Sequence, residues 1–261
     1  MPDKSGFESD LFGVLDDLSG YLADLTLVGG WVPYIYARFL WRSGGATPVF
    51  TSDVDLGLAL GKTRAHKKTI FETLSSLNYA ERHLEIGKLY PIVFYRKNKT
   101  RLDFITPTGA GDSVVNRMLG QEISLNRLDG FDFLINNVME IPLKRGVREY
   151  ALRCPRPGAF VLHKCATFTD RDDRQKMGKD LYYAYFVLRH SPDQEELAAE
   201  MRKYVKDDLF AKASANIKEY FSGDGGRGSV MIEKENGPDE YLEDLQGDIY
   251  SRFAAISLLK K

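Results

Sequence analysis

The sequence predicts an α/β (α+β) fold: a short mixed β-sheet flanked by helices, followed by a mainly helical domain. Three observations lead there. Short apolar strand-like runs alternate with helix-period segments up to residue 107, irregular strand-like runs follow between 120 and 162, and helical spacing takes over beyond residue 160. The chain of 261 residues has room for two modest cores, and the change of character places their division at 1–155 and 156–261.

Taken in order, Phe7, Leu11, Leu15, Leu18 and Leu22 recur three or four apart, so residues 7–22 form an amphipathic helix. LTLV at 25–28 reads as a buried strand stopped by Gly29 and Gly30. VPYIYARFLW at 32–41 reads as an apolar helix with Pro33 tolerated in its first turn. After the RSGGATP loop, FTSDVDLGLAL (50–60) alternates as a strand and TRAHKKTIFETLSSL (63–77) has helical spacing. LYPIVFYR (89–96) and RLDFITP (101–107) flank the turn KNKT as an antiparallel hairpin. FDFLINNVMEIPL and REYALRCP suggest further strands, limited by Pro142, Pro155 and Pro157. Helices follow at about 160–170, 176–190, 194–205 and 207–221, with Ser191-Pro192 as a boundary. Tyr182, Tyr183, Tyr185 and Phe186 predict packing between helices. GDGGRGS (223–229) is too glycine-rich for an element and reads as a flexible loop. Tyr241, Leu245, Ile249, Phe253 and Ile256 mark a terminal amphipathic helix.

Composition narrows the function classes. No apolar run approaches the roughly 18 residues needed to span a bilayer, and the start MPDKSGFESD lacks the charged and apolar regions of a signal peptide, so a cytoplasmic protein is expected. Cys154 and Cys165 have no CxxC or HxxxH partners and read as buried free thiols. His66, His83, His163 and His190 are scattered, without the spacing of a nucleophile triad. A formal net charge of −1 restricts any nucleic-acid contact to a local patch, because a long polyanion calls for a basic excess.

The chemistry concentrates in TSDVDLG. On a strand, Asp53 and Asp55 project to one face while Val54 and Leu56 project to the other. Two such charges repel unless a divalent cation joins them, and magnesium favours oxygen donors completed by substrate phosphates. In RLDFITP, Leu102 and Phe104 face a core and Asp103 faces away, on a strand that can lie beside the first. Three carboxylates suffice for a two-metal phosphoryl-transfer site, with Asp53 and Asp55 on both ions and Asp103 on the one that activates the acceptor. Gly29 and Gly30, between strand and helix, suit either a tight turn or backbone N–H contact with a triphosphate. Thr51 and Ser52 offer hydroxyl donors nearby.

The series LVGGW (27–31), SDVDLGL (52–58) and LDFI (102–105) resembles the motifs of the polymerase-beta nucleotidyltransferase superfamily over roughly residues 20–107. RPGAFVLHKCATFTDRDDRQKMGKDLYYAY (156–185) resembles the helical region of AbiEii-type nucleotidyltransferases, with Lys164, Lys179 and Asp180 on its pattern. The spacing of 22 residues between Gly30 and Asp53 is longer than most members use, and Tyr183 stands where a second acid often follows the Lys-Asp pair. The resemblance implies a nucleotidyltransferase fold with a helical domain closing one side of a cleft. It implies transfer of NMP from an NTP, with Mg2+ or Mn2+, to a hydroxyl or phosphate acceptor. For an AbiEii-like toxin the acceptor is RNA, tRNA included, or another cellular target, and an antitoxin is the implied partner. An aminoglycoside-like small-molecule acceptor and a decayed nucleotide-binding module are the alternatives. For Lys164 and Lys179, triphosphate contact and salt bridging on a solvated face both suit the mixed charges of DRDDRQKMGKD.

Overall fold

The computed structural model describes residues 4–43, 45–49, 51–58, 66–83, 92–97, 99–235 and 244–259. The expected element ends at 50, 59–60, 63–65 and 89–91, turn residue 98, Tyr241 and the Phe7 side chain lie outside the described residues. Packing divides the chain into two compact units, residues 1–32 with 50–155, and residues 33–49 with 156–261.

Helix α1 (Lys4–Asp17) ends earlier than its apolar spacing predicts. The Ser19-Gly20 pair disfavours continuation, and Ser19–Tyr21 forms a 3-10 turn, while Leu18 and Leu22 remain buried. Strand β1 (Leu25–Val28) is buried throughout, as LTLV predicts. A 3-10 turn over Gly29–Trp31 leads into α2 (Val32–Ile35), a single turn that continues as a π-helix over Tyr36–Leu40. Next come β2 (Val54–Leu58), α3 (Ile70–Ser76), β3 (Ala80–His83), β4 (Ile92–Arg96) and β5 (Thr100–Pro107). Helix α3 starts later than its spacing suggests because Thr69 and Glu72 form a capping box there.

Helix α4 (Asp112–Leu119), strand β6 (Leu125–Leu128), helix α5 (Phe131–Asn136) and the hairpin of β7 (Val138–Arg145) and β8 (Arg148–Pro155) complete the first unit. The FDFLIN run, expected as strand, is helical in α5. Gly130 enters with φ 69°, and Phe131, Leu134 and Ile135 pack on Val28, Ile105 and Leu128, a tertiary contact that outweighs local β propensity. Pro142 lies inside β7 without ending it. In a two-stranded ribbon each strand has an outer edge where a missing N–H costs no ladder bond.

The main sheet is mixed and runs β1-β2-β5-β4-β3, with β6 also on β5. β1 pairs antiparallel with β2, β2 parallel with β5, and β5 antiparallel with β4, so the expected hairpin is present. Along β5 the burial alternates. Thr100, Leu102, Phe104 and Thr106 are buried, while Arg101, Asp103, Ile105 and Pro107 lie on the other, partly open face. Gly57 shares that open face with Asp55, and a Cβ there would stand 2.8 Å from the Phe131 ring, so α5 rests close on this side of the sheet.

The second unit contains α6 (Pro157–Thr167), α7 (Arg174–His190), α8 (Gln194–Arg202), α9 (Asp208–Tyr220), α10 (Arg227–Glu235) and α11 (Leu245–Ser257). Asp173, Asp193, Asp207 and Asp244 each accept a backbone N–H at a helix start, which sets the ends of α7, α8, α9 and α11. Tyr182, Tyr183, Tyr185 and Phe186 are buried, as expected of packing residues. The Val49 N–H donates to the Tyr182 hydroxyl at 3.2 Å, and the Tyr183 hydroxyl donates to the Val49 carbonyl at 3.2 Å. Tyr36 meets Phe160 edge-on, so residues 33–49 pack with this unit. The 223–229 segment is only partly a loop, because Arg227, Gly228 and Ser229 open α10. The Phe221 ring lies 2.4 Å from where a Gly228 Cβ would stand, so glycine permits close packing there. Cys154 and Cys165 are buried free thiols. Among the described residues no helix is long and apolar enough to cross a membrane.

Candidate active site

Register builds the site. Parallel pairing sets Asp55 of β2 directly opposite Asp103 of β5, and antiparallel pairing sets Val28, the residue before Gly29, opposite Asp55. Facing residues project to the same side of a sheet, so both carboxylates and the glycine turn share its open face. Asp53 stands one residue ahead of β2 and not within it. Its N–H donates to the Thr51 hydroxyl at 3.3 Å, and its carboxylate accepts from the Ser52 hydroxyl at 3.1 Å. The loop hydroxyls thus aim Asp53 where strand pleating was expected to do so.

Gly29 has φ +71°, a region L side chains rarely adopt, and a Cβ on it would lie 1.9 Å from Oδ2 of Asp55. The Asp55 carboxylate therefore leans over the glycine backbone. Gly30 is half-buried in the same turn, and the Val32 N–H donates to the Gly29 carbonyl.

Asp103 carries the clearest electrostatic signature. Burial pushes its carboxyl above the ordinary range, and Asp53 adds to that push, whereas Arg101 and a hydrogen bond to the Asn126 side chain pull it down without prevailing. The Arg101 Nε and Nη2 atoms both donate to Oδ1 of Asp103, at 3.0 and 2.7 Å. Arg101 and Asn126 were absent from the sequence reading. Arg101 had a signal, since it lies two residues before Asp103 on an alternating strand. Asn126 had none, because β6 was not anticipated and its LNRL sequence is half exposed.

The two lysines lie in the helical unit. Lys164 of α6 is buried and its ammonium pairs with Asp180 of α7, which also accepts from Arg171 Nε at 3.0 Å. Burial pushes the Asp180 carboxyl up, but Lys164 and Arg171 together outweigh it and hold the group below the usual carboxylate range. Lys179 is half-buried, with its ammonium 5.9 Å from the Tyr183 ring centre.

Among the described residues no three His, Cys, Asp or Glu side chains are gathered closely enough to hold an ion as they stand. Asp103 is turned to Arg101 and Asp55 to Gly29. The donor chemistry still fits a hard divalent cation. All three candidates are carboxylates, two of them are register partners on one sheet face, and the third lies close enough to disturb Asp103.

A family model described as nucleotidyltransferase matches residues 10–207. The crystal structure of an antigenic nucleotidyltransferase-like protein from Paracoccidioides brasiliensis is similar at 14% identity, covering 81% of this chain and 94% of that one, with a TM-score of 0.41. No curated protein matches the chain.

Proposed function

Because the chain belongs to this nucleotidyltransferase family, we propose that it moves a nucleoside monophosphate from an NTP to a hydroxyl or phosphate acceptor, with pyrophosphate leaving, through Asp53, Asp55 and Asp103, with Mg2+ or Mn2+. The observation that carries this reading is the register of β2 and β5, which makes Asp55 and Asp103 neighbours on one face beside the Gly29 turn.

Asp53 and Asp55 hold the nucleotide side of the site, and Asp103 faces the acceptor. The Gly29-Gly30 backbone offers N–H donors to the phosphate oxygens, and the Ser52 hydroxyl would join them by leaving the Asp53 carboxylate to which it donates here. Divalent ions, when bound, supply charge neutralisation at the transferred phosphoryl group and acidify the acceptor hydroxyl. The chain's own part is to fix the two reactants in line and to give up no covalent bond of its own.

The finer reading is an AbiEii-like enzyme with RNA as acceptor and an antitoxin as partner. Its support is that Lys164 and Asp180, two residues of that pattern, form one buried pair.

The test is incubation of the protein with each labelled NTP, Mg2+ and either total RNA or a small-molecule extract. Label in RNA, with binding that weakens steeply as salt rises, supports the RNA acceptor through counterion release. Label in a small molecule redirects the acceptor alone. Asp55→Asn should abolish either product, and undiminished labelling by that variant would reject the proposed site.

A further inference from the structure

We propose that Arg101 is the resident counter-cation of the acidic face, holding Asp103 while no metal is bound and turning to the triphosphate when metal and nucleotide arrive. This rests on the reading of Asp53, Asp55 and Asp103 as the metal-binding carboxylates. Arg101 precedes Asp103 by two residues on β5, so pleating sends both side chains to the same face. Both guanidinium contacts fall on the single oxygen Oδ1, which is not the side-on arrangement in which two N–H groups meet two oxygens. An end-on pair of this kind gives up less when it opens.

Exposure is unequal across the pair, with 37% of the Arg101 side chain open against 12% for Asp103. The guanidinium therefore has a path outward that the carboxylate lacks. Its field also reaches Asp53. Asp55 faces Asp103 across the register and Asp53 stands two residues ahead of Asp55, so the Arg101 guanidinium meets the charge of more than one carboxylate. A divalent ion held by these carboxylates would bring twice the charge and would compete with the guanidinium for Asp103. The freed guanidinium is a planar fork suited to phosphate oxygens.

The experiment compares Mn2+ binding, by calorimetry and by the EPR signal of free Mn2+, in the full-length protein and in Arg101→Gln. Removing the competing cation should tighten Mn2+ binding by up to about fivefold, the scale of a partly exposed ion pair. NTP affinity at saturating Mn2+ should fall by about tenfold or more, as for a lost charged hydrogen bond. Arg101→Lys, which keeps the charge without the fork, should lose nucleotide affinity while changing Mn2+ affinity less. It also carries the nucleotide test should Arg101→Gln fail to fold. Unchanged or weaker Mn2+ binding in a folded Arg101→Gln, while the parent protein binds Mn2+, overturns the counter-cation and leaves the carboxylate site standing. Nucleotide affinity in Arg101→Lys equal to the parent's overturns the phosphate role. Absence of Mn2+ binding in both the parent and Arg101→Gln overturns the proposal together with the site.

Discussion

Asp103 on the sheet and Asp180 in the helical unit are both carboxylates that accept from an arginine, yet their surroundings drive them in opposite directions. Asp103 has one guanidinium, a repelling neighbour in Asp53 and a burial penalty that wins, so its carboxyl titrates high. Asp180 is more deeply buried but has Lys164 and Arg171 together, and it titrates low. The first pair is under-compensated and can exchange partners. The second is compensated inside a core and serves to join α6 to α7.

The largest test of this contrast is Lys164→Met, which leaves the buried Asp180 charge with Arg171 alone. Urea denaturation should show a loss of about 3–5 kcal/mol, the usual cost of breaking a buried pair from one side. Arg101→Gln should stay within about 1 kcal/mol of the parent by the same measurement. Similar losses in the two variants would erase the distinction.

Asp103→Ala probes the exchangeable side. Transfer should fall by at least about a hundredfold, roughly 2.7 kcal/mol of barrier, while much of the Mg-NTP binding through Asp53 and Asp55 persists. Single-turnover assays set against nucleotide titration separate the two, and equal losses of binding and turnover would return Asp103 to the nucleotide side.

Gly29→Ala should cost about 1–2 kcal/mol for its left-handed backbone. It should also weaken metal-dependent NTP binding, because the added carbon displaces the Asp55 carboxylate. Full NTP affinity in that variant would show that Asp55 is not positioned by the glycine.

The smallest effect belongs to His163, next to Lys164. Burial, then the Lys164 charge, lowers its pKa from 6.5 to about 3. The unfolded chain therefore binds a proton that the folded one refuses. Stability is full above 6.5 and declines as pH falls toward 3, by about 1 kcal/mol between pH 6.5 and 5.5. His163→Asn should flatten that part of a melting-temperature profile, and an unchanged slope would assign the acid sensitivity elsewhere.

The sequence carried the parts of the site whose signal is local. LTLV, FTSDVDLGLAL and RLDFITP read as strands because apolar alternation is written in the chain itself, and the three aspartates and the glycine pair came with them. Their pairing partners were not local information. Strands β3 and β6, AERH and LNRL, are polar runs recruited by neighbours, and FDFLIN is helical because Val28, Ile105 and Leu128 receive it. Gly228 looked like a loop residue because the Phe221 ring that makes use of its missing side chain is invisible in a one-dimensional reading. Arg101 sits at the right spacing from Asp103, but the order of residues does not say which cation accompanies an acidic face once strands pair.

The contact between Gly29 and Asp55 has a consequence for inheritance. A side chain at 29 and the carboxylate in its present place at 55 demand the same volume, since the missing Cβ would stand 1.9 Å from Oδ2. Drift at either position is therefore paid at the other. A descendant that loses the acid lifts the steric constraint on 29 and keeps only the left-handed backbone against a side chain there, whereas one that keeps the acid in this place is held to glycine by both. Among related chains the pair should change together, so an alanine or serine aligned with Gly29 would mark a lineage in which the acidic face has been rebuilt or abandoned, legible without a structure or an assay.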